Sequence, residues 1–472
     1  MKKLNELYNV DSDVLINSIK INSKEVKEND IFVCTMGVNA DRHLFIDEAI
    51  KNGASAIVVS KDVGKKSVPI IKVKDTNLEL PKLAKKFYDY PNNKLKMIGI
   101  TGTDGKTTTA TIIQQLIGDE KCGYIGTNGA ICHDKKLDNP NTTPDAHLFY
   151  SFLNEFVESG CIYASTEASS EAFYRGRLKY LEYDISVITN ITSEHINIHK
   201  TFENYFECKM KLLEQTKKDG ITILNKDDKY YEEMVKYVKS NKILTYGFKD
   251  ADLLIKEYKL FADKTEIKFS YNNKIYNITS PLLGLFNIYN LAAALLVVDS
   301  LGISIDSILD NIKKLKVDGR CEVLDTKSNY KVIVDYAHTP NGIKNLLEFI
   351  KTLKHNRIIT IIGQAGERDK TKRSKVGTVV ANYSDYAIFT AEDPRSEKVI
   401  DICNDIIKDI KTNNYEIIED RRKAIKKGIN MAKEEDIVLI LGKGNETYQK
   451  LKDKVIHFSD IEEANKAIKE RL

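Results

Sequence analysis

The sequence predicts an α/β protein of three domains, and three observations support this fold class. The chain has 472 residues, about three times the ~150 residues of a typical domain. Hydrophobic residues make up 42% of the chain and charged residues 30%, which is the balance of an ordinary globular protein. Short apolar runs alternate with longer helical patterns in three successive blocks, which is typical of parallel sheets covered by helices.

The first two blocks contain the following predicted elements. In the first block, which we expect to end near residue 92, strands are predicted at residues 30–34, 56–59 and 70–73, with a helix over residues 43–51. In the second and largest block, strands are predicted at residues 97–100, 162–164 and 185–188, and a helical pattern over residues 290–301 closes it.

The third block has strands predicted at residues 330–335, 358–363, 387–390 and 437–441. Each of these strands ends in polar residues or glycine. In open α/β sheets, ligands bind beyond the carboxyl ends of the strands. The strand ends are therefore the first place to look for chemistry.

Composition and charge exclude several classes of protein. A net charge of +4 over the whole chain does not indicate a nucleic-acid partner. The longest apolar run, residues 291–298, is far shorter than the ~18 residues of a membrane span, and no signal peptide follows Met1. The seven cysteines lack C-x-x-C spacing, so neither a disulfide framework nor a zinc site is indicated. We expect a cytoplasmic protein without membrane insertion.

The strongest motif is a glycine-rich loop between a predicted strand and a helical stretch over residues 110–117. Backbone N–H groups of such a loop hold phosphate, its lysine reaches the outer phosphates, and the following hydroxyl can meet Mg²⁺. Because Ile100 stands where the longer motif has its first glycine, the shorter G-x-x-G-K-T pattern fits. The alternative is a glycine turn with a chance Lys-Thr pair. The candidate nucleotide contacts are Gly102, Thr103, Asp104, Gly105, Lys106, Thr107 and Thr108.

Two further polar clusters follow predicted strands. The first contains Glu167, an acid that can serve Mg²⁺ but that by itself is more often a helix cap. The second ends in His195, and Lys209 follows it along the chain. A single histidine is usually structural, and Lys209 taken alone would be interpreted as a solvated helix lysine.

Taken in order, these motifs resemble those of the Mur ligases of bacterial cell-wall synthesis, over nearly the whole chain. The glycine loop is similar to G-T-N-G-K-T-T, with Asp104 for Asn. Residues 166–170 resemble M-E-V-S-S, and residues 190–199 resemble N-L-x-x-D-H-L-D-x-H. The resemblance continues through residues 208–209, 284–290, 319–320, 335–340, 363–373, 393–395 and 442–446.

The resemblance implies a domain organisation. A smaller N-terminal α/β domain that binds UDP is expected over residues 1–92. A central P-loop ATPase-like domain with a parallel or mixed sheet is expected over residues 93–318. A C-terminal Rossmann-like domain that binds the acceptor is expected over residues 319–472.

The resemblance also implies an ATP-dependent amide ligase of peptidoglycan precursor synthesis. ATP phosphorylates a carboxylate of a UDP-N-acetylmuramoyl dipeptide, and the amine of an incoming diamino acid attacks the acyl phosphate. By resemblance, Lys106 and two Mg²⁺ ions neutralise charge, Thr107 and Glu167 serve the first ion, and His195 and Lys209 serve the second. The matching lysine of the family carries a CO₂-derived carbamate, which makes it resemble a carboxylate.

Further ATP contacts are implied on both sides of a domain junction. They are Asn287, Asn290, Arg320, Asp335 and His338. As bare residues, the two asparagines could instead cap a helix, and Arg320 could be a surface charge.

The implied contacts to the UDP-dipeptide are Ser23, Asn141, Thr142, Thr143, Ser169, Arg175 and Arg177. This part of the sequence departs from the ligases that add the third residue of the stem peptide. Arg42 fills a usual glycine, Glu171 stands where S-S-H is usual, and Arg175 stands where Gln or Gly is common. The two threonines before Pro144 would otherwise be interpreted as an ordinary loop.

The implied acceptor contacts are Arg368, Asp393, Arg395, Gly442 and Glu446. In D-N-P-R, the arginine pairs with the distal carboxylate of meso-diaminopimelate. Here the motif is Glu392-Asp393-Pro394-Arg395, and Asn445 replaces His of G-K-G-H-E. Arg395 could also merely pair with a neighbouring acid, Glu392, Asp393 or Glu397.

We expect a monomer that adds meso-diaminopimelate. Three alternatives remain at this point. They are a paralogue that adds lysine, lanthionine or another amine, a folylpolyglutamate-synthetase-like ligase, and a nucleotide-dependent regulatory protein without turnover. An ATP hydrolysis that requires the UDP-muramoyl peptide would distinguish the last of these from a ligase.

Overall fold

The structure is a computed structural model that describes residues 1–37, 41–192, 194 and 196–471. Within these residues the chain forms three α/β domains, each built on its own sheet, as the sequence predicts. No helix in the described part of the chain is both long and apolar enough to cross a membrane.

The N-terminal domain is built on a small parallel sheet. Its elements are β1 (Lys2–Lys3), α1 (Leu4–Leu7), β2 (Leu15–Ile16), β3 (Ser18–Lys20), β4 (Asp30–Val33), α2 (Ile46–Lys51), β5 (Ala54–Val59), β6 (Ile70–Lys72) and α3 (Thr76–Phe87). Strands β3 to β6 lie in chain order, and β1 pairs with β2 in an antiparallel manner. Strand β3 was not predicted, because Ile19 is its one buried side chain and no apolar run marks it.

The central domain carries the largest sheet. Its elements are β7 (Lys96–Thr101), α4 (Lys106–Ile117), β8 (Cys122–Gly126), β9 (Gly129–Cys132), β10 (Lys135–Leu137), α5 (Ala146–Glu158), β11 (Tyr163–Glu167), α6 (Ser170–Tyr174), β12 (Tyr183–Ile188), α7 (Ile196–His199), α8 (Phe202–Glu214), β13 (Thr216–Asn225), α9 (Tyr231–Val235), β14 (Lys242–Gly247), β15 (Leu253–Leu260), β16 (Thr265–Tyr271), β17 (Lys274–Ser280), α10 (Leu285–Ser300) and α11 (Leu309–Ile312).

The central sheet is mixed, and its strand order is β10-β9-β8-β11-β7-β12-β13-β14-β15-β16-β17. The seven central strands, β8, β11, β7, β12, β13, β14 and β15, run parallel. At the two edges, β9, β10, β16 and β17 pair in an antiparallel manner. Strand β7 is buried along almost its whole length, as expected for a strand covered on both faces. Strand β16 instead alternates buried and half-buried side chains, so no apolar run marks it in the sequence.

Helix packing stabilises the central domain and joins it to the N-terminal domain. Helix α10 buries an unbroken run from Asn290 to Val298, because it packs against α4 and the sheet. Helix α3 of the N-terminal domain packs against α5. One apolar cluster therefore includes Leu83 and Phe87 of α3 together with Phe149 and Leu153 of α5.

The C-terminal domain is built on a six-stranded sheet. Its elements are β18 (Glu322–Leu324), β19 (Lys331–Asp335), α12 (Pro340–Thr352), β20 (Ile358–Gln364), α13 (Arg373–Tyr383), β21 (Tyr386–Ala391), α14 (Val399–Ile407), β22 (Tyr415–Ile417), α15 (Arg421–Met431), β23 (Ile437–Leu441), β24 (Tyr448–Lys450), β25 (Val455–His457) and α16 (Asp460–Arg471). The order is β18-β19-β23-β20-β21-β22, with only β18 antiparallel. All four predicted strands are present.

The carboxyl ends of β19, β20, β21 and β23 lie at one edge of this sheet, since the four strands are parallel. Residues that follow them line the cavity that faces the central domain. The fold thus brings polar strand ends from two domains to one cleft.

Candidate active site

A cavity of about 1080 Å³ lies between the central and C-terminal domains. Most of the residues that the sequence predicts to form the site line this cavity. Those that line it are Thr103, Asp104, Gly105, Lys106, Thr107, Thr108, Asn141, Thr142, Thr143, Glu167, Ser169, Arg177, Lys209, Asn290, Arg320, Asp335, His338, Arg368, Asp393, Arg395 and Glu446.

The remaining predicted residues lie elsewhere. Ser23 is in the N-terminal domain, where its hydroxyl donates to Glu48 Oε2 at 2.6 Å. Arg175 pairs with Glu171 at 2.7 Å. Gly442 donates its N–H to the carbonyl of Asp335, a lining residue, at 3.0 Å. His195 lies outside the described residues.

The phosphate loop has the predicted strand–loop–helix geometry. It joins β7 to α4, and Lys106 is the first residue of the helix rather than a loop residue. Gly105 caps the helix with φ +84°, a conformation that favours glycine. The Lys106 ammonium donates to the carbonyls of Gly102 at 3.0 Å and Thr103 at 2.8 Å. These contacts hold the Lys106 ammonium beside the loop.

Asp104 lies in the loop with one carboxylate oxygen, Oδ2, buried and without a hydrogen-bond partner. Burial and the nearby Glu194 carboxylate raise the pKa of Asp104. Its backbone N–H donates to Asn190 Oδ1 at 3.1 Å. A buried acceptor without a partner is costly in the free protein, and it is suited to a ligand that donates a proton or brings a cation.

Glu167 is the last residue of β11 and is fully buried. Its Oε1 accepts from the Tyr124 hydroxyl at 2.6 Å and from the Thr127 N–H at 2.9 Å, and its Oε2 accepts from the Thr107 hydroxyl at 2.9 Å. The residue that caps α6 is Ser169, so the interpretation of Glu167 as a helix cap is wrong. A carboxylate beside a hydroxyl is an oxygen pair of the kind that Mg²⁺ prefers.

Lys209 lies on α8 with only 2% of its surface exposed. Its Nζ donates to the Gly102 carbonyl at 2.6 Å and lies 4.7 Å from the centre of the Tyr205 ring. Burial, and then the charge of Lys106, lower the pKa of Lys209 well below 10.5. The interpretation as a solvated helix lysine is therefore wrong. A buried lysine with a lowered pKa is a frequent sign of function.

Residues of the C-terminal domain reach across to the phosphate loop. The Arg320 guanidinium donates to Thr107 Oγ1 at 3.1 Å and lies 4.2 Å from the centre of the Tyr336 ring, so it is not a simple surface charge. Asp335 accepts backbone N–H groups at 2.6 Å on each oxygen, and burial raises its pKa. His338 Nε2 lies 3.5 Å from Glu194 Oε1.

Asn287 and Asn290 lie inside α10, whose capping residue is Gly284, so neither asparagine is the N-cap. The Asn287 amide donates to the Leu283 carbonyl at 2.8 Å, and the Asn290 amide donates to Asn287 Oδ1 at 3.0 Å. Asn290 also accepts from the Thr109 hydroxyl at 3.2 Å. Asn287 thus orients Asn290, which lines the cavity beside the phosphate loop.

The loop before α5 is tied to the end of β11. The Thr143 hydroxyl donates to the Glu167 carbonyl at 2.6 Å and accepts from the Ser169 N–H at 3.0 Å. Arg177 donates to the Thr143 carbonyl at 3.0 Å and pairs with Asp145 at 2.7 Å. This loop is therefore a fixed wall of the cavity rather than an ordinary connection.

A charged cluster lies at the C-terminal side of the cavity. The buried Lys443 ammonium donates to Asp393 at 3.0 Å and to Glu446 at 2.8 Å. Arg395 donates through Nη1 to the Gly366 carbonyl, and no carboxylate of the described residues pairs with it. The interpretation of Arg395 as the partner of a neighbouring acid is therefore wrong, and its charge is available to a ligand.

The sequence analysis missed several supporting residues. They are Tyr124, Thr127, Tyr336 and Lys443. Lys443 stands in the Gly-Lys-Gly run that was noticed as a motif, so a signal existed for it. Tyr336 likewise stands within the motif at residues 335–340. Tyr124 and Thr127 carry no signal, because each acts on Glu167 from a distant element.

Three family models together match most of the chain. The model described as the Mur ligase family catalytic domain matches residues 15–92. The Mur ligase middle domain matches residues 100–298, and the Mur ligase glutamate ligase domain matches residues 319–444.

Individual relatives match the chain over nearly its full length. Two are named UDP-N-acetylmuramoyl-L-alanyl-D-glutamate–2,6-diaminopimelate ligase. The one from Clostridium perfringens is 37% identical over 460 residues, which cover 95% of this chain and 94% of the relative. The one from Fusobacterium nucleatum is 39% identical over 473 residues, which cover 98% and 96%.

Solved structures have the same fold. A structure of a ligase with that same name superposes with a TM-score of 0.67 at 28% identity and covers 99% of both chains. The MurF ligase from Thermotoga maritima in complex with ADP gives a TM-score of 0.70 at 23% identity, covering 98% of this chain and 99% of that one. With these sequence matches, the chain belongs to the Mur ligase family.

Proposed function

We propose that the protein is an ATP-dependent ligase that joins meso-diaminopimelate to UDP-N-acetylmuramoyl-L-alanyl-D-glutamate in peptidoglycan precursor synthesis. One observation carries this proposal. The phosphate loop with Lys106, the Glu167 carboxylate and the unpaired charge of Arg395 line the same cavity. Phosphoryl transfer to a carboxylate and capture of a dicarboxylic amino acid can therefore occur in one space.

In this proposal, residues of the central domain hold the metal ions, and residues of the central and C-terminal domains together hold ATP. The loop from Gly102 to Thr108 binds phosphate, and Asn290, Arg320 and His338 contact the nucleotide. Asn287 orients Asn290. Asp335 holds the backbone next to Arg320 and next to His338. Thr107 and Glu167 hold one Mg²⁺, because their oxygens lie 2.9 Å apart. Bound Mg²⁺ screens the negative charge of the reacting groups. His195 and Lys209 are proposed for the second ion.

Lys209 is proposed to carry a carbamate. Carbamate formation needs a neutral amine, and burial lowers the pKa of Lys209 well below 10.5, so the neutral form is accessible. The carbamate would convert a cation beside the phosphate loop into a ligand for a metal ion. The short contact with the Gly102 carbonyl, 2.6 Å, holds the amine at the base of the loop.

The UDP-dipeptide is proposed to lie along the wall formed by Asn141, Thr142, Thr143, Ser169 and Arg177, with Ser23 and Arg175 as more distant contacts. We also propose domain boundaries at residues 1–92, 93–318 and 319–472, a monomeric state and a cytoplasmic location. These last assignments rest on the sequence and on the family.

The acceptor is proposed to bind at the C-terminal side of the cavity. A guanidinium can form two parallel hydrogen bonds with the distal carboxylate of diaminopimelate, and Arg395 has a free charge for this purpose. Asp393 and Glu446, held by Lys443, are proposed to meet the ammonium group beside that carboxylate. Arg368 and Gly442 complete this side. Curated relatives 37% and 39% identical that bear the name of this ligase support the acceptor.

The test is a ligation assay with UDP-N-acetylmuramoyl-L-alanyl-D-glutamate, ATP and Mg²⁺ against meso-diaminopimelate, lanthionine, lysine and ornithine, with the tripeptide detected by mass. We expect a strong preference for diaminopimelate. Arg395→Ala should lower kcat/KM for diaminopimelate by about 10- to 100-fold, the equivalent of one charged hydrogen-bonded contact. It should change the rate with lysine far less, since lysine has no distal carboxylate.

Two further variants sharpen the assay. Arg395→Lys should not restore the preference, because an ammonium cannot form the two-pronged contact. Arg422→Ala is the control, since Arg422 pairs with Glu463 at the surface of the same domain. Equal use of lysine and diaminopimelate would overturn the proposed acceptor. Absence of product with every amine would overturn the proposed substrate and leave the family unaffected.

A further inference from the structure

A cluster of two thiols and an imidazole lies apart from the residues assigned to ATP and substrate. Cys132 ends β9, His133 follows it, and Cys161 lies just beyond α5. One ligand atom of each residue lies within 4.8 Å of the others, and the two sulfur atoms are 3.2 Å apart. The spacing of the cysteines along the chain did not indicate a zinc site. The fold creates this cluster, because the end of β9 and the end of α5 meet.

The tautomer of the His133 imidazole leaves one ring nitrogen with a lone pair that can bind a metal ion. Its Nε2 lies 2.9 Å from the Ser159 carbonyl oxygen, which can only accept a hydrogen bond. Nε2 therefore carries the hydrogen, and the lone pair is on Nδ1. A histidine that binds a metal commonly donates its other N–H to a backbone carbonyl in this way. The His133 backbone, at φ +53°, is also held by its N–H, which donates to the Asp119 carbonyl at 3.3 Å.

The separation of the two sulfur atoms is close to that in a tetrahedral sulfur and nitrogen site. With Zn–S bonds of about 2.3 Å, tetrahedral coordination separates two sulfur atoms by about 3.8 Å. The observed sulfur pair, 3.2 Å apart, would open by about 0.6 Å. Cys132 and Cys161 are 2% and 5% exposed, whereas His133 is half-buried, so an ion would enter past the imidazole.

The charges also balance. Each thiol loses its proton to solvent when it binds the metal. Two thiolates then neutralise a divalent ion, and the imidazole stays neutral. The loaded cluster has no net charge, which removes most of the cost of burying it.

We propose that Cys132, His133 and Cys161 bind one thiophilic d¹⁰ metal ion of the Zn²⁺ type, with water in the fourth position. The ion would join the β9–β10 hairpin to the end of α5. Lys136 and Leu137 of that hairpin line the cleft, so the ion would fix one wall of the cavity from behind. This inference does not depend on the proposed reaction.

The test uses the reduced, metal-free, full-length protein with Co²⁺ as the probe. We expect one equivalent of Co²⁺ to produce thiolate-to-metal charge-transfer absorption, which Zn²⁺ then abolishes by displacing Co²⁺. Ions at the oxygen-rich sites of the cleft give no such absorption, so the two kinds of site are distinguished. Competition with a chelator gives the affinity for Zn²⁺.

Two variants remove different ligands. His133→Asn keeps a residue that tolerates positive φ and should weaken Zn²⁺ binding by at least about 10-fold. Cys161→Ser should remove most of the charge-transfer absorption. Cys403→Ser, at another buried thiol in the C-terminal domain, is the control and should bind as the parent does. Thermal melting of each metal-free variant checks that it folds.

Three results would overturn the proposal. The first is an absence of thiolate absorption with the parent protein. The second is unchanged Zn²⁺ affinity in both folded ligand variants. The third is a Cys132–Cys161 disulfide that persists in reductant, because such a bond leaves no thiolates to bind a metal.

Discussion

At the scale of single residues, the chemistry of the cleft depends on groups whose charge the fold has altered. Lys209 has little solvent around its ammonium and a second cation, Lys106, nearby. Both effects favour the neutral amine, which is the form that reacts with CO₂. A lysine elsewhere on the same helix, Lys211, is half-exposed and has ordinary access to water.

We predict that ¹³C-labelled CO₂ produces a carbamate signal in the NMR spectrum that requires Lys209. At constant CO₂ concentration the signal should grow as the pH rises through the lowered pKa of Lys209, because the neutral fraction rises, and it should fade as the pH falls. Lys209→Met should lose this signal and ligation together, while Lys209→Glu should keep part of the activity. Lys211→Met is the control on α8. Full ligase activity in Lys209→Met would exclude the carbamate role.

At the scale of elements, the start of α4 shapes the phosphate loop. Gly105 and Gly118 lie at the two ends of this helix, and both have positive φ, +84° and +98°. A Cβ atom at Gly105 would collide with Asn290 Oδ1, whereas one at Gly118 would meet no atom within 4 Å. The two glycines therefore separate the cost of backbone strain from the cost of a collision at the site.

We predict that Gly105→Ala lowers kcat/KM for ATP by about 100-fold, since displacement of the loop or of Asn290 by even 1 Å misplaces the phosphates. Gly118→Ala should cost about 1–3 kcal/mol of stability, because its backbone at φ +98° and ψ 134° lies in a region that residues other than glycine rarely adopt, and it should keep normal kinetics. Steady-state kinetics, ADP titration calorimetry and thermal melting measure these effects. Equal loss of ADP affinity in both variants would mean that strain alone, rather than the contact with Asn290, controls the loop.

At the scale of the whole molecule, a few polar contacts join the C-terminal domain to the central one across the cleft. Besides the contact of Arg320 with Thr107, the Asn445 amide donates to Asn128 Oδ1 at 2.9 Å. Asn128 follows β8, next to Thr127, which holds Glu167. A change in the angle between the domains would therefore act directly on the proposed metal site.

We predict that Asn445→Ala shifts the protein toward an open arrangement. Loss of one hydrogen bond of about 1 kcal/mol changes the ratio of closed to open molecules about fivefold. Small-angle X-ray scattering should show a larger radius of gyration, and kcat should fall by up to about fivefold. Asn329→Ala is the control, because Asn329 bonds with Glu434 inside the C-terminal domain. Unchanged scattering and kcat would show that this contact does not hold the domains.

Much of the fold was predictable because it depends on local patterns. The buried strands β7, β12, β20 and β23 are apolar runs, and the motifs at strand ends carry glycines and acids in recognisable order. The ends of the helices and the polar edge strands were less predictable. Helix α10 begins at Leu285, several residues before its apolar run, and the antiparallel strands at the edges of the central sheet have mixed polar and apolar faces.

The sequence by itself determined the fold class, the phosphate loop and the family resemblance, since these are written in contiguous residues. Only the tertiary structure decided which interpretation of an ambiguous residue is correct. Burial separates Lys209 from a surface lysine, and the donors around Glu167 separate it from a helix cap. The proximity of Cys132, His133 and Cys161 is likewise decided only by the tertiary structure. The physical reason is that solvation and electrostatic fields depend on distances through space, which the order of residues along the chain does not contain.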